Sequence, residues 1–290
     1  MTGAGTNLFI DGKPEQSIPA TDRGFLYGHG LFETMCLWQG GLPLLELHLT
    51  RLAEGAKILS IKFDLEELRA QLSNALSYFP ARGLVKLVLT AGDSERGYHY
   101  SPAASPGAMN SRSRCLIEYF EPRSGVDETR LQVCRYRLPH NSKLAGIKHL
   151  NRLDQVIAAT EIPPRCDGLL LDQAGNVIEA LSSNLFLLCG TQWLTPSLAS
   201  SGVAGVMREL LAGSIMPTME IELLYQDIDP EMLKIADEVF ICNAVNGITL
   251  VSEITGLARS SSPSRISFKT HPQTELIRAE LAERYPCFGE

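Results

Sequence analysis

Lys148 stands alone between two apolar patches in Leu144-Ala145-Gly146-Ile147-Lys148-His149-Leu150-Asn151-Arg152-Leu153, just ahead of a helix-like run of Leu150, Leu153, Val156 and Ile157. A lysine held among apolar neighbours loses its proton more easily than a solvated one, and its neutral amine is a nucleophile able to capture a carbonyl carbon. A solvated lysine at a helix start has the same local sequence, so this residue takes its meaning from its companions. Glu179 sits among Val177, Ile178, Ala180 and Leu181, where a charge is expensive without a partner, although a solvent-facing place in an alternating strand fits the same residues. Arg51 offers a planar fork suited to phosphate, and its helical spacing also fits a plain helix-surface arginine. Gly205-Val206-Met207 opens a helix, where unpaired N–H groups and the helix dipole attract an anion.

The elements that must position these groups are legible in part. Leu8–Ile10 reads as a strand entering an Asp11-Gly12 turn, and Gly24, Gly28 and Gly30 mark a glycine-rich stretch. Leu45, Leu49, Leu52, Ala56 and Leu59 recur at helical spacing. A second helix begins at Asp64, where Asp64 and Glu67 suit a capping box, and Pro80 is expected to end it. Strands are expected at 84–90, 115–120 and 131–138. The Pro-, Ser- and Gly-rich stretch 101–113 reads as a loop, either a lid or a surface insertion. In the second half, 168–172 and 177–180 suggest a hairpin, followed by strands at 184–188, 238–242 and 247–251. The tail 259–265 reads as a loop and 274–284 as a last helix.

The chain has 290 residues, 44% hydrophobic and 20% charged, which is the composition of a globular protein with a sizeable core. A net charge of −7 argues against nonspecific nucleic-acid binding, and no apolar run reaches membrane-spanning length. The seven cysteines are scattered without CxxC spacing, which speaks for a reducing compartment and against a disulfide framework or a zinc site. The N-terminus lacks a basic region followed by an apolar one, so the expected location is cytoplasmic.

Several segments, in order, are similar to the fold-type IV family of pyridoxal-phosphate enzymes, which includes branched-chain aminotransferases, D-amino acid aminotransferases and 4-amino-4-deoxychorismate lyases. They are Thr21-Asp22-Arg23-Gly24 through Phe32-Glu33-Thr34, His48 with Arg51-Leu52, the Lys148 motif, Glu179 through Asn184-Leu185-Phe186, Gly202 through Arg208, and Ala236-Asp237-Glu238 through Asn243-Ala244. The resemblance spans about residues 7 to 250. It implies a two-domain fold of mixed class, α+β and α/β, like that of D-amino acid aminotransferase, with pyridoxal 5'-phosphate in the interdomain cleft. The expected domains are 1–120, α+β, and 121–290, strand-rich and carrying the cofactor lysine.

By the same resemblance, Lys148 supplies the amine for the cofactor's aldehyde and Glu179 pairs with the pyridine nitrogen. Arg51, Val206, Met207, Asn243 and Ala244 lie on the phosphate side, and Val203 packs on the ring. Family members often carry Thr where Met207 stands, so backbone contact replaces a hydroxyl there. The lysine motif, the loop Gly92 through Arg96-Gly97-Tyr98, and Thr34 after Phe32-Glu33 are closest to the lyases. The lyase reading makes Lys148 and Thr34 catalytic. Arg96 and Thr34 meet the substrate, 4-amino-4-deoxychorismate, though both residues also fit ordinary loop and strand positions. The cofactor-binding residues do not separate this reaction from aminotransfer on branched-chain or D-amino acids, and a noncatalytic pyridoxal-phosphate carrier is a further alternative. A homodimer is expected from the family.

Overall fold

The computed structural model describes residues 7–93, 97–100, 112–122, 125–257 and 265–289. Two compact units emerge, Met1–Arg123 with Lys148–Asn151, and Ser124–Ile147 with Arg152–Glu290. The sequence places the lysine in the C-terminal part of the chain. In the structure its segment groups with the first unit, because Phe32 N–H donates to Lys148 O at 3.1 Å and Leu150 N–H to Gly30 O at 3.0 Å.

In the first unit, β1 (Leu8–Ile10), β2 (Lys13–Pro14), β3 (Gly30–Leu37), β4 (Gly83–Thr90) and β5 (Arg114–Phe120) form an antiparallel sheet in the order β2-β1-β5-β4-β3. The Asp11-Gly12 turn forms as expected, with positive φ at both residues. Side chains alternate along each strand. Leu31, Met35 and Leu37 of β3 and Val85, Leu87 and Leu89 of β4 are buried, whereas Phe32, Thr34 and Cys36 are half-exposed. Helix α2 (Leu45–Ile58) buries Leu49, Leu52 and Ala56, and α3 (Leu65–Leu76) buries Leu68 and Leu72. Full burial of each such leucine stabilises by about 1.5–3 kcal/mol.

Asp64 caps α3 through its Oδ1, which accepts from Glu66 and Glu67 N–H. The helix stops at Leu76, ahead of the expected Pro80. Ser77 Oγ donates to Asn74 O at 2.7 Å, and Tyr78 and Phe79 turn onto Phe9, with ring centroids 5.2 and 5.9 Å away. The short α1 (Arg23–Tyr27) is capped by Asp22, a fully buried carboxylate that also accepts from Thr90 Oγ1 and Arg114. Gly28 ends α1 in the left-handed region at φ +64, and Asn151 Nδ2 donates to its carbonyl at 3.0 Å.

The second unit contains β6 (Glu128–Leu138), α4 (Leu153–Ala159), β7 (Asp167–Asp172), β8 (Val177–Ala180), β9 (Asn184–Cys189), β10 (Gln192–Pro196), α5 (Val206–Leu210), a π-helical turn (Leu211–Ile215) and α6 (Met216–Thr218). It continues with β11 (Leu223–Gln226), α7 (Met232–Ile235), β12 (Glu238–Asn243), β13 (Gly247–Thr255), β14 (Arg265–Ser267) and α8 (Pro272–Arg284). The sheet runs β11-β10-β9-β12-β13-β6-β7-β8 with β14 beside β13. Because β8 also pairs with β9, Glu179 opposite Asn184, the strands from β9 round to β8 close into a barrel. Leu131, Leu169, Val177, Leu185, Leu187, Val239, Ile241, Val251 and Ile254 belong to one apolar core. The expected hairpin is β7–β8. The helix after the lysine starts at Leu153, since Leu150 is engaged by Gly30, and its apolar residues Leu153, Val156 and Ile157 are exposed.

Gly28 admits no side chain. A Cβ there would lie 2.2 Å from Asn151 Oδ1, on a backbone already left-handed. Gly28→Ala is expected to destabilise the first unit by about 1–3 kcal/mol, read as a lower urea midpoint; an unchanged midpoint contradicts this packing.

Candidate active site

Lys148 is laid along the edge of β3 by the two backbone hydrogen bonds above, and a bridge pairs His149 with Leu31. Its Nζ lies 4.4 Å from the centroid of the Phe32 ring. Phe32 and Thr34 project from the same face of β3, two residues apart. Lys86 on β4 is the register partner of Thr34, and its Nζ lies 5.9 Å from the same ring. Two lysine amines therefore lie over one aromatic ring, and the Thr34 hydroxyl stands on the same face of the strand that carries it. Lys86 was not a sequence candidate; the signal for it is its place opposite Thr34, which exists only once β3 and β4 are paired.

Glu33 projects from the opposite face and is 2% exposed. His48 Nδ1 is 2.6 Å from Glu33 Oε2, and Arg51 Nε donates to Glu33 Oε1 at 2.9 Å while its Nη2 donates to Oε2. Arg51 is thus fixed by a fork on a buried carboxylate. Burial by itself would raise the Glu33 carboxyl, but the His48 hydrogen bond and the Arg51 charge outweigh it and hold the group below its ordinary value. Burial pulls His48 down, more strongly than Glu33 pulls it up, and the charges of Arg51 and Lys148 add to the fall.

In the second unit, the residues just before the lysine are tied to the turn at Val203. Gly146 N–H donates to Gly202 O at 2.9 Å, and Ala204 N–H to Gly146 O at 3.0 Å. Glu179 is 4% exposed, and its Oε2 accepts from Val203 N–H at 2.8 Å. Its negative charge is felt at two guanidinium groups that burial pulls down, Arg152 and Arg208. Arg152 Nη2 also donates to Ile147 O at 3.3 Å. Asn184, opposite Glu179 in the barrel closure, donates to Val203 O at 2.8 Å. A Cβ on Gly205 would lie 1.9 Å from Asn184 Oδ1, so the start of α5 meets Asn184 with bare backbone. Val206 and Met207 are buried, leaving their backbone as the polar part. Asn243 donates to Ser183 Oγ at 2.9 Å, while its Oδ1 accepts from Val245 and Asn246 N–H and shapes the turn that contains Ala244.

The structure thus brings Lys148, Thr34 and Arg51 into one unit, and Glu179, Val203, Val206, Met207, Asn243 and Ala244 into the other. Arg96, most of the 101–113 loop and most of the 259–265 tail lie outside the described residues. The donor types fit pyridoxal phosphate: the first unit holds an amine on an apolar ring and a fixed guanidinium, and the second an oriented buried carboxylate. Glu33 and Asn184 stand in the quoted segments without an assigned role, and only tertiary packing shows what they hold.

The amino-transferase class IV family matches residues 30–254. An aminodeoxychorismate lyase of Vibrio harveyi is 31% identical over 94% of this chain and 99% of its own length. The crystal structure of 4-amino-4-deoxychorismate lyase from Pseudomonas aeruginosa superimposes with a TM-score of 0.83 at 34% identity, covering 95% of this chain and 98% of the other. The branched-chain amino acid aminotransferase of Escherichia coli gives a TM-score of 0.78 at 20% identity over 98% of this chain and 95% of its own, a likeness of fold.

The buried cluster sets a pH dependence. Unfolded His48 takes up a proton near its ordinary 6.5 that the native ring resists, and unfolded Glu33 takes one near 4.5 that the native carboxylate resists. In both ranges the unfolded chain binds more protons, so this stability is present above pH 6.5 and is lost as pH falls, first through His48 and then through Glu33. His29, also lowered chiefly by burial, acts in the same direction. The urea midpoint of the first unit is expected to be lower at about pH 5.5 than at about pH 7.5, and His48→Gln to narrow the difference. A midpoint independent of pH over that interval contradicts a proton-resisting native His48.

Proposed function

The chain belongs to the class IV amino-transferase family, and from that premise we propose that it is an aminodeoxychorismate lyase, converting 4-amino-4-deoxychorismate to 4-aminobenzoate and pyruvate for folate synthesis. The observation that carries the proposal is that Lys148 and Lys86 both lie over the Phe32 ring, with Thr34, the register partner of Lys86, two residues along the same face of β3. A substrate with a ring amine, carboxylates and an enolpyruvyl ether calls for a base, a hydroxyl near the ether and a cation. Threonine follows Phe32-Glu33 where branched-chain aminotransferases tend to have glycine.

Pyridoxal phosphate, when bound, supplies an aldehyde that takes up the substrate amine and a ring that accepts an electron pair from the adjacent carbon. Lys148 would supply the amine that holds the aldehyde. Arg51, and the backbone of Val206, Met207 and Ala244 with the Asn243 turn, are the groups that would hold the phosphate, and Glu179 would keep the pyridine nitrogen protonated. Its own position is set by Val203 N–H. Val203 would pack on the ring.

Lys148 Nζ would take the proton from the amine-bearing ring carbon of the substrate. Proton delivery to the enolpyruvyl methylene accompanies cleavage of the ether C–O bond, and the ring becomes aromatic. Atoms balance, since the proton lost from the ring equals the one gained by pyruvate. Thr34 Oγ1 orients the ether, and Lys86 and Arg96 meet the carboxylates. The enzyme is further proposed to be a cytoplasmic homodimer, on the support of the seven scattered cysteines and the exposed stripe of Leu153, Val156 and Ile157 on α4.

The test is a product assay with enzymatically generated aminodeoxychorismate. Equal, enzyme-dependent release of 4-aminobenzoate and pyruvate is expected, and Lys148→Ala abolishes it. No release, with keto acid formed from branched-chain or D-amino acids instead, would make the protein an aminotransferase. Lys86→Met is expected to raise KM for aminodeoxychorismate by about tenfold at unchanged cofactor affinity. An unaltered KM removes Lys86 from the substrate site.

A further inference from the structure

Glu33 is a buried carboxylate with no part in the chemistry above, yet both its oxygens are committed. Oε1 accepts from Arg51 Nε, and Oε2 accepts from Arg51 Nη2 and lies 2.6 Å from His48 Nδ1. His48 and Arg51 stand one turn apart on α2, so a single residue of β3 grips two residues of one helix face. The Nε–Nη2 edge of the guanidinium is the one docked. Because the group is planar, docking that edge also fixes the direction of the Nη1–Nη2 edge.

We propose that Glu33 is the positioning residue of the phosphate site: it orients Arg51 for a phosphate ester. This rests on the reading of Arg51 as a phosphate ligand. Two effects of Glu33 oppose each other. Its negative charge offsets the positive charge of Arg51 and so weakens attraction for an anion. Its fork removes rotamer freedom that a long arginine side chain would otherwise lose on binding. The second effect wins here, because Arg51 meets its anion through a directional fork rather than as a point charge. His48 supports the arrangement by holding the Oε2 side of the carboxylate.

The two effects predict opposite signs for Glu33→Gln, which removes the charge and loosens the fork. Full-length apoprotein would be titrated with pyridoxal phosphate and, separately, with pyridoxal, which lacks the phosphate, by quenching of tryptophan fluorescence. The ratio of the two affinities isolates phosphate recognition from general damage to the unit. Glu33→Gln is expected to lower that ratio by about tenfold, Arg51→Ala by at least as much, and the double variant no further. A ratio unchanged or raised in Glu33→Gln, with Arg51→Ala still lowering it, overturns the positioning role and leaves Arg51 at the phosphate. A ratio unchanged in Arg51→Ala overturns both. Should Glu33→Gln fail to fold, Glu33→Asp keeps the charge and shortens the reach; it must also lower the ratio, and a parental ratio there overturns the proposal.

Discussion

The hydrogen bonds that lay Lys148–Leu150 along the edge of β3 are the constraint on which the rest of the first unit's chemistry depends. They are ordinary backbone contacts, Phe32 N–H to Lys148 O and Leu150 N–H to Gly30 O. Their effect is to bring a lysine from a connecting segment onto the ring of Phe32. The period-two alternation of β3 then distributes the remaining roles. Phe32 and Thr34 face the lysine's side of the sheet, and Glu33 between them faces α2, where it holds His48 and Arg51. A one-residue slip of β3 would exchange these faces and dismantle both arrangements together.

The second unit answers a different problem, how to keep a carboxylate out of water at low cost. Glu179 sits at the pairing that closes the barrel, where strand geometry is already fixed by neighbours on both sides. Val203 N–H supplies a hydrogen bond, and the charges of Arg152 and Arg208 bear on it. Asn184 and the bare backbone of Gly205 set the path of the turn that carries Val203. The Ile147–Lys148 peptide bond is where the chain passes from this unit to the first, and within the second unit Gly146 is bridged to Val203.

Much of this was legible before folding because it is local. α2 and the start of α3 follow from helical spacing and the Asp64 cap, and β7–β8 from two apolar runs around a turn. Lys148, Glu179 and Arg51 could be singled out because charged residues in apolar or motif-bearing settings are unusual. What the sequence hid is non-local. Glu33 meets His48 and Arg51 across 15 and 18 residues, and Asp22 meets Arg114 across 92, contacts that no periodicity encodes. The end of α3 and the late start of α4 escaped for a related reason, since side-chain and edge-strand hydrogen bonds overrode helical pattern there.

The central claim, that Lys148 is the amine that captures the cofactor aldehyde, can be tested without any turnover. Holoenzyme would be reduced with borohydride, digested, and mapped by mass spectrometry for a covalently attached pyridoxyl phosphate. The account predicts the modification on Lys148 alone, in the peptide containing Ile147 and His149. Stoichiometric modification of another lysine, Lys86 or Lys143 among them, with Lys148 unmodified, would contradict it.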